Sequence, residues 1–504
     1  MSTPEASIRL PYADRGVAGL PLPLVALAIV AAVIGLVLLA AGLPAAWILL
    51  GICALATVPV VVWSLVVGRF FEPLPVLAAV GGLMFVTRPL QLILEWRDLY
   101  SHFFPTDPVR RLVLLEGQEV ALFIGDRVTE PLEHTLARSI GACALFLVML
   151  LLGYRLGIGS RFARRLSNVR LGQAPINLRA AIGVSLAVGL VAQVAIIVRA
   201  GGPSAALEKA SDQQAALSDS FVLFFLSGFA FAAVLLWAAW RRPRGRLEWS
   251  GFGVSVLAVC TFSTIAGSRA RVFLTLFALA VIVHYLWRPW RRRELAAGLV
   301  LMLAFVSSFV VFREAADDRS LRHATSEAWR YGLDPRVILN DITSFDDVLY
   351  ATTIYGRKRD HEHGRFMLDG ARSFLPSAID PNKPEGGDIV FRKVVWKNQF
   401  GAGRPPTAVG DFYIDFGFPG VALGALLIGV LARSLLGLLR GPPAGRQYRV
   451  ALYAIALVIL YELVVDTFSL ALGFVLTLAL PFLIAVHLFG RAPGSRALAG
   501  STAT

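Results

Sequence analysis

Apolar runs of about 20 residues recur along almost the whole chain, and each is long enough to cross the hydrocarbon core of a bilayer as a helix. Of the 504 residues, 56% are hydrophobic and 16% are charged, a composition that excludes a soluble enzyme. An outer-membrane barrel would need short segments of alternating apolar and polar residues, and the sequence lacks them. Because spans in lipid must satisfy their own backbone hydrogen bonds, the chain is predicted to be an all-α polytopic membrane protein.

The apolar runs divide into twelve predicted transmembrane helices. The first lacks a cleavage site of small residues, so it is expected to be a retained helix and not a signal peptide. The last two are separated at Asp466 and Thr467, where polar residues interrupt a long apolar stretch. The predicted spans are roughly 21–43, 45–67, 73–94, 136–157, 178–198, 219–240, 249–266, 271–287, 295–312, 409–437, 450–466 and 469–489.

The charges of the short loops predict the orientation. The segment 155–179 carries arginines and no acid, and the loops 241–246, 288–293 and 440–449 are equally basic. They alternate with loops that hold the acidic residues. If both termini are cytoplasmic, every strongly basic short loop is cytoplasmic too, as the positive-inside rule requires. We therefore expect a multi-pass protein of a bacterial cytoplasmic membrane, and we assign its net charge of +14 to topology, with no nucleic-acid partner.

This orientation places one long loop, 313–408, on the outer face. A connection of this length between helices is usually functional. Within it, SFDDVLYATTIYG is predicted to form a partly buried helix, whereas the chain from Pro376 to Pro406 is expected to be irregular. The predicted organisation is transmembrane helices 1–9 in 1–312, the extracytoplasmic loop in 313–408, helices 10–12 in 409–490 and a cytoplasmic tail in 491–504.

Three arginines lie where a membrane protein seldom has them. Arg88 falls within the outer half of the third span, where a charge costs roughly 2.5–3.5 kcal/mol and is usually functional or paired. Arg269 and Arg271 follow a Gly-Ser turn at the outer boundary, and guanidinium groups beside exposed backbone N–H groups suit a pyrophosphate. The alternatives are a snorkelling or structurally paired Arg88, and a short hairpin that contacts lipid headgroups.

The stretch GDFYIDFGFPG places Asp411 and Asp415 four residues apart, on one helix face, with Tyr413 between them. The simplest alternative is that Asp411 is an acid favoured by the dipole at the start of its own span. Glu462 and Asp466 have the same spacing near the outer end of another span. They are candidate partners for the arginines, either structural or catalytic.

These polar residues are all predicted to lie at the outer ends of spans. A basic cavity with a few carboxylates there would suit an anionic, lipid-linked substrate. The sequence has neither of the phosphate-binding patterns GxxxxGK[ST] and GxGxxG, and no metal-ligand spacing, so we expect no cofactor and no metal. The set comprises Arg88, Arg269, Arg271, Arg313, Arg404, Asp411, Asp415, Glu462 and Asp466.

Four segments, in this order, resemble the Wzy-type polymerases of O-antigen and related oligosaccharide repeat units. They are GSRARVF after a span, FDDVLY, FLPSAIDPNKPEG in the long loop, and RPPTAVGDFYIDFGFPGVALGALLIGV. The resemblance covers about 260–430 and is only topological at the start of the chain. The family most often has Glu at the position of Asp411, so the carboxylate of this chain has a shorter reach.

The resemblance implies a GT-C-like, metal-independent glycosyltransferase. It would transfer a glycan from polyprenyl pyrophosphate onto the non-reducing sugar of a fresh lipid-linked repeat unit at the outer face. Arg269, Arg271, Arg404 and Arg88 would hold the pyrophosphate, with Arg313 nearby. The implied base, or group that orients the acceptor, is Asp411, with Tyr413 and Asp415 beside the sugar, Glu462 close by and Lys383 reaching in from the loop. A chain-length regulator and a flippase are further expected partners, besides membrane lipid.

Three alternative functions remain open. An O-antigen-type ligase would share the long loop and the arginines, and would place finished glycan on another acceptor. A flippase for lipid-linked oligosaccharides has little use for so long an outer loop. A polyprenyl-phosphate-sugar transferase needs an acidic pair in its first outer loop, where this chain has only AGLP.

Overall fold

The computed structural model describes residues 45–94, 132–168, 177–202, 213–265, 269–298, 300–301, 344–357, 359–373, 380–396, 406–442 and 445–489. The predicted span 21–43, most of span 295–312, the loop residues 313–343 and the tail 491–504 lie outside this description. So do Arg313, Arg404 and the side chain of Arg269.

The described residues are almost entirely helical, and the one β-type pairing among them is an isolated bridge between Tyr355 and Arg359. In chain order the helices are α1 Ala45–Val67, α2 Pro73–Gly82, α3 Arg88–Leu94, α4 Leu132–Arg155, α5 Gly157–Asn168, α6 Leu178–Ala200, α7 Gln213–Trp240, α8 Arg246–Ile265, α9 Arg269–Ile282, α10 Ser344–Ile354, α11 Arg365–Arg372, α12 Gly387–Trp396, α13 Thr407–Arg440, α14 Arg446–Val465, α15 Phe468–Phe474 and α16 Leu480–Leu488. Three π-helical turns, Leu83–Thr87, Val283–Trp287 and Val475–Ala479, continue α2, α9 and α15 respectively.

Eight helical segments of the described chain are long and apolar enough to cross a membrane. This finding confirms the predicted class, a helical polytopic membrane protein, while the count of twelve stays a prediction. The predicted spans 249–266 and 271–287 are helical but are not among the eight. The eight segments are Ala45–Val67, Pro73–Leu90, His134–Arg155, Leu178–Ala200, Val222–Trp240, Thr407–Arg440, Arg446–Val465 and Phe468–Leu488.

Helix α13 packs against α4, α5 and α14. Its backbone approaches α4 closely: a Cβ added to Gly429 would collide with the carbonyl oxygen of Leu150. At Gly417 the helix is interrupted by a residue with φ 63° and ψ −151°, a conformation that only glycine adopts readily. The shorter first part carries Asp411 and Asp415, and the longer second part ends at Arg440.

The chain breaks between α14 and α15 at the predicted point. Asp466 ends α14 in an extended conformation, and the Thr467 side chain accepts a hydrogen bond from Leu470 N at 3.2 Å as the N-cap of α15. This local signal was readable in the sequence because threonine is a favoured N-cap. The division at Asp466 and Thr467 is therefore confirmed.

Within the long loop 313–408, the described residues form three helices, α10, α11 and α12. The predicted helix in SFDDVLYATTIYG is α10, and most of its side chains are buried. The expectation of irregular chain from Pro376 to Pro406 is wrong for 387–396, which form α12. Short helices depend on tertiary packing, and Phe391 of α12 is fully buried, a contact that local composition could not reveal.

Candidate functional site

Arg88, the charge predicted within the third span, forms a bidentate ion pair with Asp346 of FDDVLY. Its Nε lies 3.0 Å from Asp346 Oδ1, and a terminal nitrogen lies 2.8 Å from Oδ2. The Arg88 side chain is 2% exposed. This fork geometry fixes α10 of the long loop to the end of the α2–α3 span. It matches the structural alternative for Arg88, because the guanidinium predicted to hold pyrophosphate already binds a carboxylate.

A second contact anchors α10 from another side. The hydroxyl groups of Ser139 on α4 and Thr352 on α10 lie 2.7 Å apart, and both side chains are buried. Helix α10 also packs against the first part of α13. The FDDVLY helix is therefore held against three spans of the bundle.

Asp415 caps a helix of the long loop. Its two carboxylate oxygens accept hydrogen bonds from the backbone N–H groups of Phe366 at 3.0 Å and Met367 at 3.1 Å, in the first turn of α11. The preceding chain is tied down as well, because Glu362 N donates to Ile414 O at 3.0 Å. A buried carboxylate at a helix N-terminus satisfies otherwise unpaired donors and complements the helix dipole.

Asp411 does the same for a different helix. Its Oδ2 accepts a hydrogen bond from Phe468 N at 2.5 Å, at the first residue of α15. Asp411 is 1% exposed. It therefore caps α15 and not its own helix, which begins at Thr407. This contact does not test the predicted role of Asp411 as the base, which stays a prediction.

The two capped helices lie side by side. Helix α11 packs against α15, where a Cβ on Gly370 would lie 2.8 Å from Ser469 Cβ. Asp411 and Asp415, four residues apart, thus hold the N-termini of α15 and α11 next to each other. One helix comes from the long loop and the other from the bundle.

Tyr413 lies between these carboxylates in an aromatic setting. Its ring meets His361 and Phe418 edge-on, with ring centroids 5.5 Å and 5.3 Å apart. Arg138 of α4 and Arg357 of the loop both interact electrostatically with its phenol group. Two cations near a buried tyrosine make its surroundings basic, but these arginines are not those predicted, and the predicted basic cavity stays a prediction.

Sequence reasoning missed Arg138, Arg357 and His361. A signal existed for Arg138, because it lies in an early turn of a predicted span at the outer face. Short loops at that face hold few arginines, and the same argument singled out Arg269 and Arg271. No comparable signal marks Arg357, because it lies in the loop and approaches Tyr413 only through the fold. The spacing of His361 and His363 could suggest a metal site, but without further ligands at a familiar interval it is more typical of a solvated loop.

Arg271 contacts α7. A terminal nitrogen donates to Ser227 Oγ at 2.6 Å, and the guanidinium lies 4.9 Å from the centroid of the Phe224 ring. Glu462 is buried, and its carboxyl group is hydrogen-bonded to that of Asp466. In the described contacts, Arg88 pairs with Asp346, and Arg271 contacts Ser227 and Phe224. The predicted partners were Glu462 and Asp466.

Two loop residues complete this end of the molecule. Lys383 is half-buried before α12, with its backbone N–H donating to Asp380 O at 3.2 Å. Burial raises the pKa of Tyr355 to about 12, against the opposing effect of Arg359. The Tyr355 phenol is therefore neutral at physiological pH and can donate a hydrogen bond, but it cannot serve as a base there.

Comparison with known proteins found no match: no family model matches the chain, and neither does any curated protein or solved structure. Within the described ranges, no group of three or more His, Cys, Asp or Glu side chains could hold a metal ion. The resemblance stated above therefore depends on the motifs themselves. What the structure adds is that FDDVLY and GDFYIDFGFPG meet at one end of the bundle.

Proposed function

We propose that the protein is a polymerase that joins polyprenyl-pyrophosphate-linked oligosaccharide repeat units at the outer face of a bacterial cytoplasmic membrane. The observation that supports this best is the anchoring of the long loop over one end of the bundle. Asp346 of FDDVLY pairs with Arg88, and Asp415 of GDFYIDFGFPG caps α11 of the loop. Two of the four motifs that carry the resemblance, FDDVLY and GDFYIDFGFPG, thus lie together, and this supports the proposal that they belong to one site.

The proposed reaction breaks the bond between the anomeric carbon of the growing glycan and a pyrophosphate oxygen. A new bond forms between that carbon and a hydroxyl oxygen of the acceptor repeat unit. Lipid pyrophosphate leaves with the electron pair, and the hydroxyl proton passes to a base. Guanidinium groups would stabilise the departing charge, and Arg138 and Arg357 join Arg269, Arg271 and Arg404 as candidates.

Asp411 remains the candidate base, and its capping contact makes a sharp experiment available. Asparagine keeps an oxygen that can accept the hydrogen bond from Phe468 N, but it cannot take a proton. Asp411→Asn should therefore fold normally and make no ladder of repeats if Asp411 is the base. Normal ladders from a folded Asp411→Asn would restrict Asp411 to holding α15.

The arginines are tested in the same assay, with purified protein and its lipid-linked repeat unit, a chelator and no nucleotide. We expect Arg138→Gln and Arg357→Gln each to slow polymerisation about 100- to 1,000-fold, as for removal of one donor to a developing charge. Arg365→Gln is the matched control, since Arg365 is an exposed loop arginine paired with Asp369. Equal effects of all three substitutions would contradict the proposed site.

The products separate the remaining alternatives. Repeats that lengthen on polyprenyl lipid support the polymerase, whereas glycan that appears on a different carrier would identify a ligase. Transport of the lipid-linked unit without any new glycosidic bond would identify a flippase.

A further inference from the structure

At the other end of α13, arginines from three parts of the chain gather around a carboxylate. Gly417 and Arg440, which bound the longer second part of α13, lie about 35 Å apart at about 1.5 Å per residue. Glu72, which precedes α2, interacts electrostatically with Arg69, Arg433 and Arg440, and Arg155 at the end of α4 interacts with Arg433. We call this group the arginine cluster: Arg69, Arg155, Arg433, Arg440 and Glu72.

The arginine cluster holds more positive charge than Glu72 neutralises. Arg69 lies 3.6 Å from Glu72, and both side chains are largely buried, at 11% and 17% exposure. Glu72 can balance only one of the guanidinium groups that it faces. Buried Nε of Arg69 has no hydrogen-bond partner in the described part of the chain. Like charges held close together repel one another, and a bound anion would offset that repulsion.

Aromatic residues hold the cluster in place. The Arg433 guanidinium lies 5.2 Å from the centroid of the buried Tyr154 ring. Behind it, the Tyr453 hydroxyl donates to Phe71 O at 2.5 Å, next to Glu72 in the chain. The contacts with Tyr154 and Glu72 restrict Arg433 and Arg69, whereas Arg440 is exposed at the rim of the cluster, where a ligand can reach it.

Helix α5, beside the cluster, is basic and partly apolar on its exposed surface. It exposes Ile158 and Phe162 together with Arg161, Arg164 and Arg165, and the Arg165 guanidinium lies 5.9 Å from the centroid of the Phe162 ring. It also contacts the cluster directly, since Arg433 Nε donates to Ser160 Oγ at 3.3 Å. A basic amphipathic helix with exposed apolar side chains is typical of the interface between lipid and water.

We propose that the arginine cluster binds the phosphate group of an anionic phospholipid headgroup. Guanidinium groups match phosphate oxygens in geometry and charge, and basic pockets between transmembrane helices are known to take such headgroups. The site is distinct from the proposed polymerase site, because the two lie at opposite ends of α13. Neither proposal depends on the other.

The test uses the full-length protein in detergent, titrated with phosphatidylglycerol, phosphatidylcholine or inorganic phosphate. Bound lipid is counted by native mass spectrometry, and thermal unfolding is followed in parallel. Arg440→Gln should weaken binding of phosphatidylglycerol about five-fold, the usual effect of one arginine near an anionic headgroup. Glu72→Gln should strengthen it by a similar factor, because it removes the negative charge from the cluster.

The matched control is Arg288→Gln, since Arg288 is an exposed arginine in a predicted cytoplasmic loop that pairs with Glu294. It should leave binding unchanged. Equal protection by inorganic phosphate and phosphatidylglycerol would overturn the lipid as the source of the phosphate. A loss of binding in Arg288→Gln as large as in Arg440→Gln, or weaker binding in Glu72→Gln, would overturn the site itself.

Discussion

The two ends of α13 use charge in opposite ways. At one end, Asp411 and Asp415 accept hydrogen bonds from backbone N–H groups, and Arg88 pairs with the carboxylate of Asp346. The buried charges at this end are therefore matched by fixed groups of the protein. At the other end, several guanidinium groups face Glu72. The first arrangement stiffens a loop over the bundle, which suits the proposed polymerase site. The second leaves positive charge that the proposed anionic headgroup would balance.

The largest expected effect comes from breaking the Arg88–Asp346 ion pair, near the end of α13 that carries Asp411 and Asp415. Arg88→Gln leaves Asp346 without its bidentate partner beside the bundle, so the free energy of unfolding should fall by about 3–5 kcal/mol, as for one partner of a buried pair. Denaturation in detergent measures it. Arg241→Gln is the comparison, since the Arg241–Glu248 pair is about a third exposed and should contribute about 0.2–1 kcal/mol.

A double-mutant cycle sharpens this result. Asp346→Asn in the Arg88→Gln background should cost far less than in the wild type, because the interaction is already lost. Additive losses would show that the two side chains act separately. In that event α10 would be held by its hydrophobic contacts and by Thr352 instead.

Gly417 connects the first part of α13, which carries Asp411 and Asp415, to the second part. Its substitution should have the next largest effect on the free energy of unfolding. Alanine disfavours φ 63° with ψ −151°, and a Cβ there would lie 3.0 Å from His361 Nε2. Gly417→Ala should lower the unfolding free energy by about 1–3 kcal/mol. Gly183→Ala is the control in an open helical position and should be neutral or stabilising. A neutral Gly417→Ala would mean that the break in α13 can be removed without strain.

Each carboxylate that caps a helix at this end should contribute less to the free energy of unfolding than the Arg88–Asp346 pair or Gly417. Asp415→Ala removes the acceptor of two backbone N–H groups at the start of α11 and should cost about 1 kcal/mol, at the middle of the range for N-caps. Asp415→Asn keeps an acceptor and should recover much of that loss. Hydrogen exchange at Phe366 and Met367 reads the cap directly. Unchanged exchange in Asp415→Ala would show that α11 is held by packing alone.

The sequence alone predicted the local parts of this architecture. Apolar runs located α1 and α6 to within two residues at each end, and polar residues located the break before α15. Residue spacing also put Asp411 and Asp415 on one face. These features depend on neighbours in the chain, where periodicity and capping preferences are informative.

The partners of the site residues could not be predicted in this way. Arg88 and Asp346 are 258 residues apart in the chain, and Asp411 is 57 residues from Phe468. The sequence indicated that a buried arginine needs a carboxylate, but several were available and Glu462 and Asp466 were the ones considered. Which acid lies within reach is decided by helix packing, and a single sequence does not contain that information in readable form.

The smallest predicted effect concerns the arginine end and depends on pH. Burial raises the pKa of Glu72 above its ordinary 4.5, against the opposing effect of Arg69, Arg433 and Arg440. The folded state therefore holds this proton more tightly than the unfolded state does. Its contribution to stability is complete below pH 4.5 and is lost as the pH rises through the raised value. Glu72→Gln should match the wild type in acid and exceed its stability progressively towards neutral pH.

Glu294→Gln supplies a control of opposite sign. A hydrogen bond from Arg291 N and the Arg288 side chain lower the pKa of Glu294, so its contribution is present above the ordinary value and is lost as the pH falls. Unfolding midpoints across this range should therefore diverge for the two variants in opposite directions. If bound anionic lipid fills the arginine cluster, it competes with Glu72 for the guanidinium groups, so the advantage of Glu72→Gln should grow when lipid is added. A pH-independent difference would mean that the pKa of Glu72 is the same in the folded and unfolded states, and would contradict this prediction.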